Sequence, residues 1–515
     1  MLIAIKLKSF QRVLLIFWIF FISFVYSQNQ NILTLKLEDI PGSKVFLAGY
    51  EYDQILILDS AHTDMNGTAV FKCPDQVLAG MYLITDATKS SSYFDFFMDG
   101  NFPLQIQCQV HNALTTLHSS THAINESYFE WNRKLSNWNR DLERCQILRE
   151  TQGNQSTDVT HTIAQIQKRS LMYCDSLFKK NYTNVFGQML KLKINPPRTY
   201  SKVPADSVKQ RLEFKRRYWQ FIDFSKPELI TNPFLAPRIQ EYFENWVSLH
   251  PDSVTAEIFR MVTNMHMQKK SKTYVISHLM TIYENRNELI FDKSKKPRGM
   301  QDVFVELVNT YIRSGFLDAS FDSETRNRML NRIQQIEPLL TGKPLPELLV
   351  LDTMNTRIAQ SWGFKVGISS ENAQRLYELR KAQLESMFYS FNTKNGPLQL
   401  LLFWSTDCPH CISELPIIQD RLKPLIESGL LKVLAINVID TDYKGWLNFI
   451  REKNLNFFKH YADPVHLNKF KTTFDIQATP AFMLLDAEST IISHHQSLTE
   501  LLSTLQKIQN QSNTR

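Results

Sequence analysis

Between residue 31 and about residue 112 apolar and polar positions alternate. Ile32, Leu35 and Leu37, then Val45, Phe46 and Leu47, then Ile55 to Leu58, then Val70 and Phe71 supply the apolar positions. A period of two is the pattern of half-buried strands. Pro41-Gly42-Ser43, Asn66-Gly67 and Ala79-Gly80 cut the run with turns. About seven short strands at this spacing predict a small antiparallel β-sandwich over residues 28–115, with no catalytic pattern in it. From about residue 122 the period changes to three and four. Tyr128, Trp131, Leu135, Trp138, Leu142 and Cys145 form the seam of a long helix, which Gln152-Gly153-Asn154 breaks. Ile163, Ile166, Tyr173 and Leu177 resume the seam, so the pair predicts an antiparallel helical hairpin. Further helices run to Leu340, punctuated by Asn195-Pro196-Pro197, Asn232-Pro233 and His250-Pro251. Residues 122–340 therefore predict a central all-α block, whose aromatic residues at helical spacing are core. Its role is that of a spacer or a partner-docking platform.

The last third, 341–515, alternates between strand and helix. Gly342-Lys343-Pro344-Leu345-Pro346 leads into a strand-like stretch, Leu348 to Leu351, and Ser370 to Phe388 is helical. The apolar run Leu398 to Phe403 predicts a buried strand, followed by a helix from Cys408 to Glu427. A strand (Leu431 to Val438), a helix (Tyr443 to Asn454), a short strand near Phe458 and a helix (Pro464 to Phe474) come next. After Thr479-Pro480, strands Ala481 to Leu485 and Thr490 to His494 precede a closing helix from Leu498 to about Gln509. This is a C-terminal α/β domain.

At 515 residues the chain is too long for one core, so a multi-domain protein is expected. The net charge of +7 is modest, and no basic cluster interleaves with aromatic residues, which argues against nucleic acid as a partner. Lys6, Lys8 and Arg12 precede an apolar run from Val13 to Val25, and Val25-Tyr26-Ser27 offers cleavage-site residues. Residues 1–27 thus predict a secretory signal peptide, and with it export to the periplasm or cell envelope. An uncleaved anchor is the alternative, although the run is shorter than the ~20 residues of a full span. No later segment is long and apolar enough to cross a membrane.

The chemistry concentrates in Cys408-Pro409-His410-Cys411, where a buried strand runs into two thiols opening a helix. A helix N-terminus favours a thiolate on the first of them, and the thiolate is the reacting form. Cys408 is the expected nucleophile; Cys411, more covered, attacks the mixed disulfide and releases product. The His410 imidazole works in the same direction as the helix, and the Asp407 carboxylate against it. Pro409 sits early in the helix, where its missing N–H costs little. Half of a zinc site is the alternative, but no second pair at similar spacing exists to complete four ligands. The pair needs neither metal nor other cofactor. Cys73 and Cys108 each share a strand face with apolar neighbours and read as buried small groups, with a mutual bridge as the alternative. Cys145 and Cys174 lie too far apart along a hairpin to pair. His460, His466, His494 and His495 have no metal spacing and read as surface or packing residues.

Trp404 ahead of Cys408-Pro409-His410-Cys411, then Glu414, Pro416, Thr479-Pro480 and the Gly342-x-Pro-x-Pro346 lead-in, together make the region from about 340 to 511 resemble the thioredoxin superfamily. The likeness is closest to the TlpA/ResA-like envelope thiol-disulfide oxidoreductases. The resemblance implies a redox-active Cys408–Cys411 disulfide, and a cis Thr479–Pro480 bond that offers backbone to an extended substrate. It also implies Trp404 as packing and substrate surface, and Pro416 as a kink in the site helix. Cysteine-containing envelope proteins are the implied partners, with a membrane electron carrier as source of electrons. Two departures stand out. Leu402 occupies the position of the buried Asp of thioredoxins proper, leaving Glu414 either as its replacement in proton transfer or as a solvated carboxylate. The Pro-His dipeptide is that of DsbA-type oxidants in a frame that resembles a reductase, so the direction of electron flow stays open. Two other functions compete: a peroxiredoxin-like peroxidase, which needs a Pro where Leu401 stands, and a non-enzymatic surface binding or assembly protein with a vestigial redox domain.

Overall fold

In β1 (Ile32–Leu37) Leu33, Leu35 and Leu37 are fully buried and the residues between them half-covered, as the alternation predicts. The computed structural model describes residues 31–512 except 52–53, 75, 87–91, 153–156, 194–203, 287, 291–297, 318–320, 392–395, 440–442 and 495–496. The signal segment 1–27, Gly153-Asn154, Asn195-Pro196-Pro197 and His495 lie outside the described residues. The described residues form two compact units, one running up to Trp246 and including Met265–Lys272, the other comprising Val247–Asn264 and Thr273 onward.

In the first unit, β1 lies between β4 (Thr68–Lys72) and β7 (Leu104–Cys108). A second sheet has the order β3-β2-β5-β6, from β2 (Lys44–Glu51), β3 (Gln54–His62), β5 (Gly80–Thr85) and β6 (Ser92–Met98). The sandwich is not wholly antiparallel: β1 and β7 run parallel, Leu33 opposite Leu104 to Leu37 opposite Cys108. The chain reaches β7 from β6, a strand of the other sheet, and a crossover of that kind admits a parallel neighbour where a tight hairpin does not. Gly67 turns the chain at φ +76°, where a Cβ would stand 2.2 Å from the Leu37 carbonyl oxygen. The helical hairpin is present as Ala123–Gln152 and Thr157–Lys180, with Trp138 and Tyr173 meeting edge to face at 5.6 Å. Buried Asn125 ties it to β6, accepting from the Phe97 N–H (2.6 Å) and donating to the Phe97 carbonyl (2.9 Å). Tyr128, Trp131 and Phe186 share one core with both sheets.

All six cysteines are free thiols. A Cys73–Cys108 bridge is excluded by register, because Cys73 bonds Asn31 before one end of β1 while Cys108 pairs with Leu37 at the other. Six residues at about 3.3 Å each separate them along the strand, far beyond disulfide reach. The helical stretch is also not all-α: β8 (Leu289–Ile290) and β9 (Arg298–Gly299) form a two-residue ladder.

The second unit contains a six-stranded sheet, β10-β13-β12-β11-β14-β15. Its strands are β10 (Leu351–Asp352), β11 (Leu398–Trp404), β12 (Leu431–Asn437), β13 (Lys459–Ala462), β14 (Ala481–Leu485) and β15 (Ile491–His494). β11, β12 and β13 run parallel, and β14 and β15 run antiparallel to their neighbours. A closing helix, Leu498–Ser512, starts with a reciprocal cap between Ser497 and Glu500. β11 is buried on both faces, as a central strand must be. Leu400, Leu402 and Trp404 join one core, Leu401 and Phe403 another.

Two predicted elements shrink. The strand expected over Leu348–Leu351 survives only as β10, because Asn468 takes both backbone groups of Leu349 in place of a strand partner (3.0 and 2.6 Å). A helix unforeseen in the sequence follows it, Thr353–Ser361, capped by the Asp352 carboxylate on the Asn355 N–H. The helix expected over Pro464–Phe474 is one turn, Phe470–Thr473. There the Asp463 carboxylate binds the Asn468 N–H, and His466 adopts φ +61°, which no right-handed helix accommodates.

Candidate active site around Cys408

Strand register assembles the site. Trp404 ends β11 at the edge where β14 begins, because Phe403 pairs with Ala481 in the antiparallel ladder. The residues just before Ala481, Thr479 and Pro480, are thereby laid beside the chain that leaves β11 for Cys408. The Thr479–Pro480 peptide is cis, as the resemblance implies. The Cys408 thiol donates to the Thr479 carbonyl at 3.1 Å.

Cys408 caps the site helix, Pro409–Glu427, and its sulfur accepts the Cys411 N–H at 3.1 Å. A side chain that accepts from an otherwise unpaired first-turn N–H is the ordinary helix cap; here the acceptor is the reactive atom. The buried stripe Cys411, Leu415, Ile418, Gln419 and Leu422 follows helical spacing and seats the helix on the sheet. Pro416 and Pro424 both lie inside the helix, and each removes one intrahelical N–H. Gln419 fixes the far side, donating to the Asn454 carbonyl (2.9 Å) and accepting from the Phe457 N–H (3.0 Å).

The two thiols are polarised in opposite directions. Partial burial pushes Cys408 upward, but hydrogen bonds from the Cys411 and Thr479 side chains and the Cys411 and His410 backbone N–H groups outweigh it, so Cys408 lies below an ordinary thiol. Burial, reinforced by the hydrogen bond with Cys408, pushes Cys411 up to about 12. One sulfur is partly exposed and inclined to ionise; the other is fully buried and holds its proton.

The surrounding residues divide. His410 is exposed, and its backbone N–H is among the groups that lower Cys408. Trp404 is fully buried, packed on Phe449 with ring centres 5.1 Å apart, so it is packing alone and presents no surface to a substrate. Leu402 is buried beneath the site, whereas Glu414 is exposed on the solvent side of the helix. Glu414 therefore does not replace a carboxylate beneath the thiols; it lines a groove of about 540 Å³ with His410, Thr479 and Pro480. Asp407 is exposed.

The structure adds detail at two residues that the sequence already names, Thr479 and His460. Thr479 hydrogen-bonds the Cys408 sulfur through its carbonyl (3.1 Å) and acts to lower the pKa of both thiols. His460 lies under Trp404, with ring centres 6.4 Å apart. It donates Nε2–H to the Leu455 carbonyl at 2.8 Å, and burial pushes its pKa down to about 4. His494 is likewise buried, donating to the Phe474 carbonyl at 3.1 Å, while His466 is exposed. Among the described residues no cluster of His, Cys, Asp or Glu could hold a metal.

No family model and no curated protein matches the chain. Among solved structures it is similar to a domain of a possible thiol-disulfide isomerase from Cytophaga hutchinsonii, with 25% identity and a TM-score of 0.26, covering 35% of this chain and 99% of that one. A thioredoxin-like protein from Bacteroides caccae matches at 16% identity and TM-score 0.39, over 60% of this chain and 98% of that one. The thioredoxin domain of a thiol-disulfide oxidoreductase from Bacteroides vulgatus matches at 17% identity and TM-score 0.23, over 33% and 96%. At these identities and TM-scores the likeness carries no weight of its own, and the chemistry rests on the geometry around Cys408.

Proposed function

We propose that this protein is a thiol-disulfide oxidoreductase that exchanges a Cys408–Cys411 disulfide with cysteines of envelope proteins. The observation that carries this reading is the opposite polarisation of two thiols one helical turn apart. The Cys408 thiolate attacks a substrate disulfide; one substrate sulfur leaves as a thiol and the other is held as a mixed disulfide. Cys411 then gives up its proton and attacks Cys408, releasing the second substrate thiol. The protein ends as a disulfide, two electrons having passed to the substrate; the reverse sequence oxidises a dithiol. Holding Cys408 as a thiolate stabilises the dithiol state and so makes the pair more oxidising. Export through residues 1–27, soluble or membrane-tethered in the periplasm, and reduction by a membrane electron carrier belong to the same proposal. No helix among the described residues is long and apolar enough to cross a membrane.

The test is equilibration of the full chain in dithiothreitol redox buffers, with insulin disulfide reduction as the activity. A reversible two-electron transition and turnover abolished by Cys408→Ser are expected. Absence of any reversible bond between Cys408 and Cys411 would overturn the reading.

A further inference from the structure

The groove beside Thr479 and Pro480 has a second wall, and it does not come from the α/β domain. Asn285, Gln301 and Arg332 line it, contributed by the helical region upstream. That wall is rigidly built. Arg332, on helix Ser323–Ile336, reaches the Glu284 carboxylate through Nε (3.3 Å) and the buried Asp475 carboxylate through a terminal nitrogen (2.7 Å). Asp475 also accepts from Gln477 Nε2 at 3.0 Å, three residues before the proline.

The groove's chemistry is lopsided. Gln301 donates Nε2 to the Glu284 carbonyl (2.9 Å) and Gln477 donates Nε2 to the Lys471 carbonyl (3.1 Å), so both amide nitrogens are committed within the protein. The Arg332 guanidinium is paired with the lining Asp475 and, outside the lining, with Glu284, and Glu414 adds a further carboxylate to the groove. On a chain with formal charge +7, the redox groove is locally acidic, lined by the Glu414 and Asp475 carboxylates with the Arg332 guanidinium already paired. A peptide N–H and a lysine or arginine side chain are donors; a carboxylate is not.

We propose that the helical region completes a docking groove for an extended, cysteine-bearing polypeptide segment rich in basic residues, and thereby selects which proteins reach Cys408. This rests on the redox reading of the same site. Segments carrying carboxylates beside the cysteine are repelled, and small disulfides bypass the second wall.

The test uses the full chain in single turnover against synthetic peptides whose one cysteine is disulfide-linked to an aromatic thiol, flanked either by lysines or by glutamates. Cys408 attacks the peptide sulfur and the aryl thiolate leaves, which gives the optical signal. Cys411 then displaces the peptide as a thiol, and the protein dithiol has become a disulfide. The lysine-flanked peptide is expected to react roughly tenfold faster at low salt, the advantage shrinking as ionic strength rises. Asn285 is exposed and lies in a turn, so charge is introduced there without disturbing a core. Asn285→Asp is expected to widen the preference and Asn285→Arg to narrow it, each by roughly two- to fivefold, the scale of an exposed charge pair. Equal rates for the two peptides, or a preference that neither variant moves, would overturn the docking proposal. A symmetric uncharged aryl disulfide distinguishes the two readings. Its reduction alongside indifferent peptides sinks the groove alone; no reduction of any disulfide sinks the redox reading and the groove with it.

Discussion

Protonating His460 should cost this protein stability as the pH falls through the weakly acidic range. Its ring lies between Trp404 and Phe458, with centres 6.4 and 6.3 Å away, and one nitrogen is committed to the Leu455 carbonyl. Burial moves the folded-state pKa from 6.5 to about 4. The unfolded chain therefore binds a proton between these values that the folded chain refuses. Stability from the neutral ring is fully present above pH ~6.5 and is lost as pH falls toward ~4, below which the loss levels off. By linkage, the difference between pH ~7.5 and ~4.5 is about 2–3 kcal/mol. The assay is a series of urea midpoints for the wild type and His460→Gln over that range, converted with the measured m-value. Carboxylates and the other histidines contribute to both curves equally, so the difference between them isolates His460. The variant should lie below the wild type at neutral pH and converge on it toward pH ~4.5. Parallel curves, with a constant gap across the range, would refute the buried neutral imidazole.

Iodoacetamide should modify Cys408 at a pH below that of an ordinary thiol, while Cys411 stays unmodified until the protein is unfolded; equal rates for the two would contradict their assigned polarity. His410→Ala keeps the backbone N–H that reaches Cys408 and should leave the alkylation profile nearly unmoved, whereas a large upward shift would return the role to the imidazole. Arg332→Met leaves the buried Asp475 carboxylate without its cation, a loss of about 3 kcal/mol for a buried pair. Hydrogen exchange at the Ile476 and Gln477 amides, both bonded to backbone carbonyls, should then quicken roughly a hundredfold, and Arg332→Met with Asp475→Asn should recover most of it. Gly67→Ala places a Cβ against the Leu37 carbonyl at positive φ and should lower stability by about 1–3 kcal/mol in thermal unfolding.

Periodicity made most of the architecture legible. The continuous apolar run Leu398–Phe403 reads as a doubly buried strand, and the alternation before residue 112 reads as strands with one wet face, because burial acts on each side chain where it stands. Contacts between distant segments left less trace. Nothing local to Leu349 announces that Asn468 will take its backbone groups, so the strand expected there looked longer than it is. The parallel pairing of β1 with β7 depends on which sheet the chain has just left, a property of the path and not of either strand. At the site, spacing placed Cys408 and Cys411 on one helical turn. It could not show that Trp404 is sealed from solvent, that Glu414 faces outward, or that His460 lies beneath, since those follow from what packs above each residue.

Cys408 and Thr479 are 71 residues apart in the chain, and what brings them together is the ladder between β11 and β14. Everything from β12 through β13 and the turn at Phe470 is a loop hung from that ladder. Such a loop can lengthen, shorten or change its helices while the reactive sulfur keeps its carbonyl neighbour, provided Phe403 still faces Ala481. A slip of one residue would instead turn every side chain of β14 to the opposite core. The redox centre is thus held by pairing within the sheet and insulated from the variable connections that hang from it.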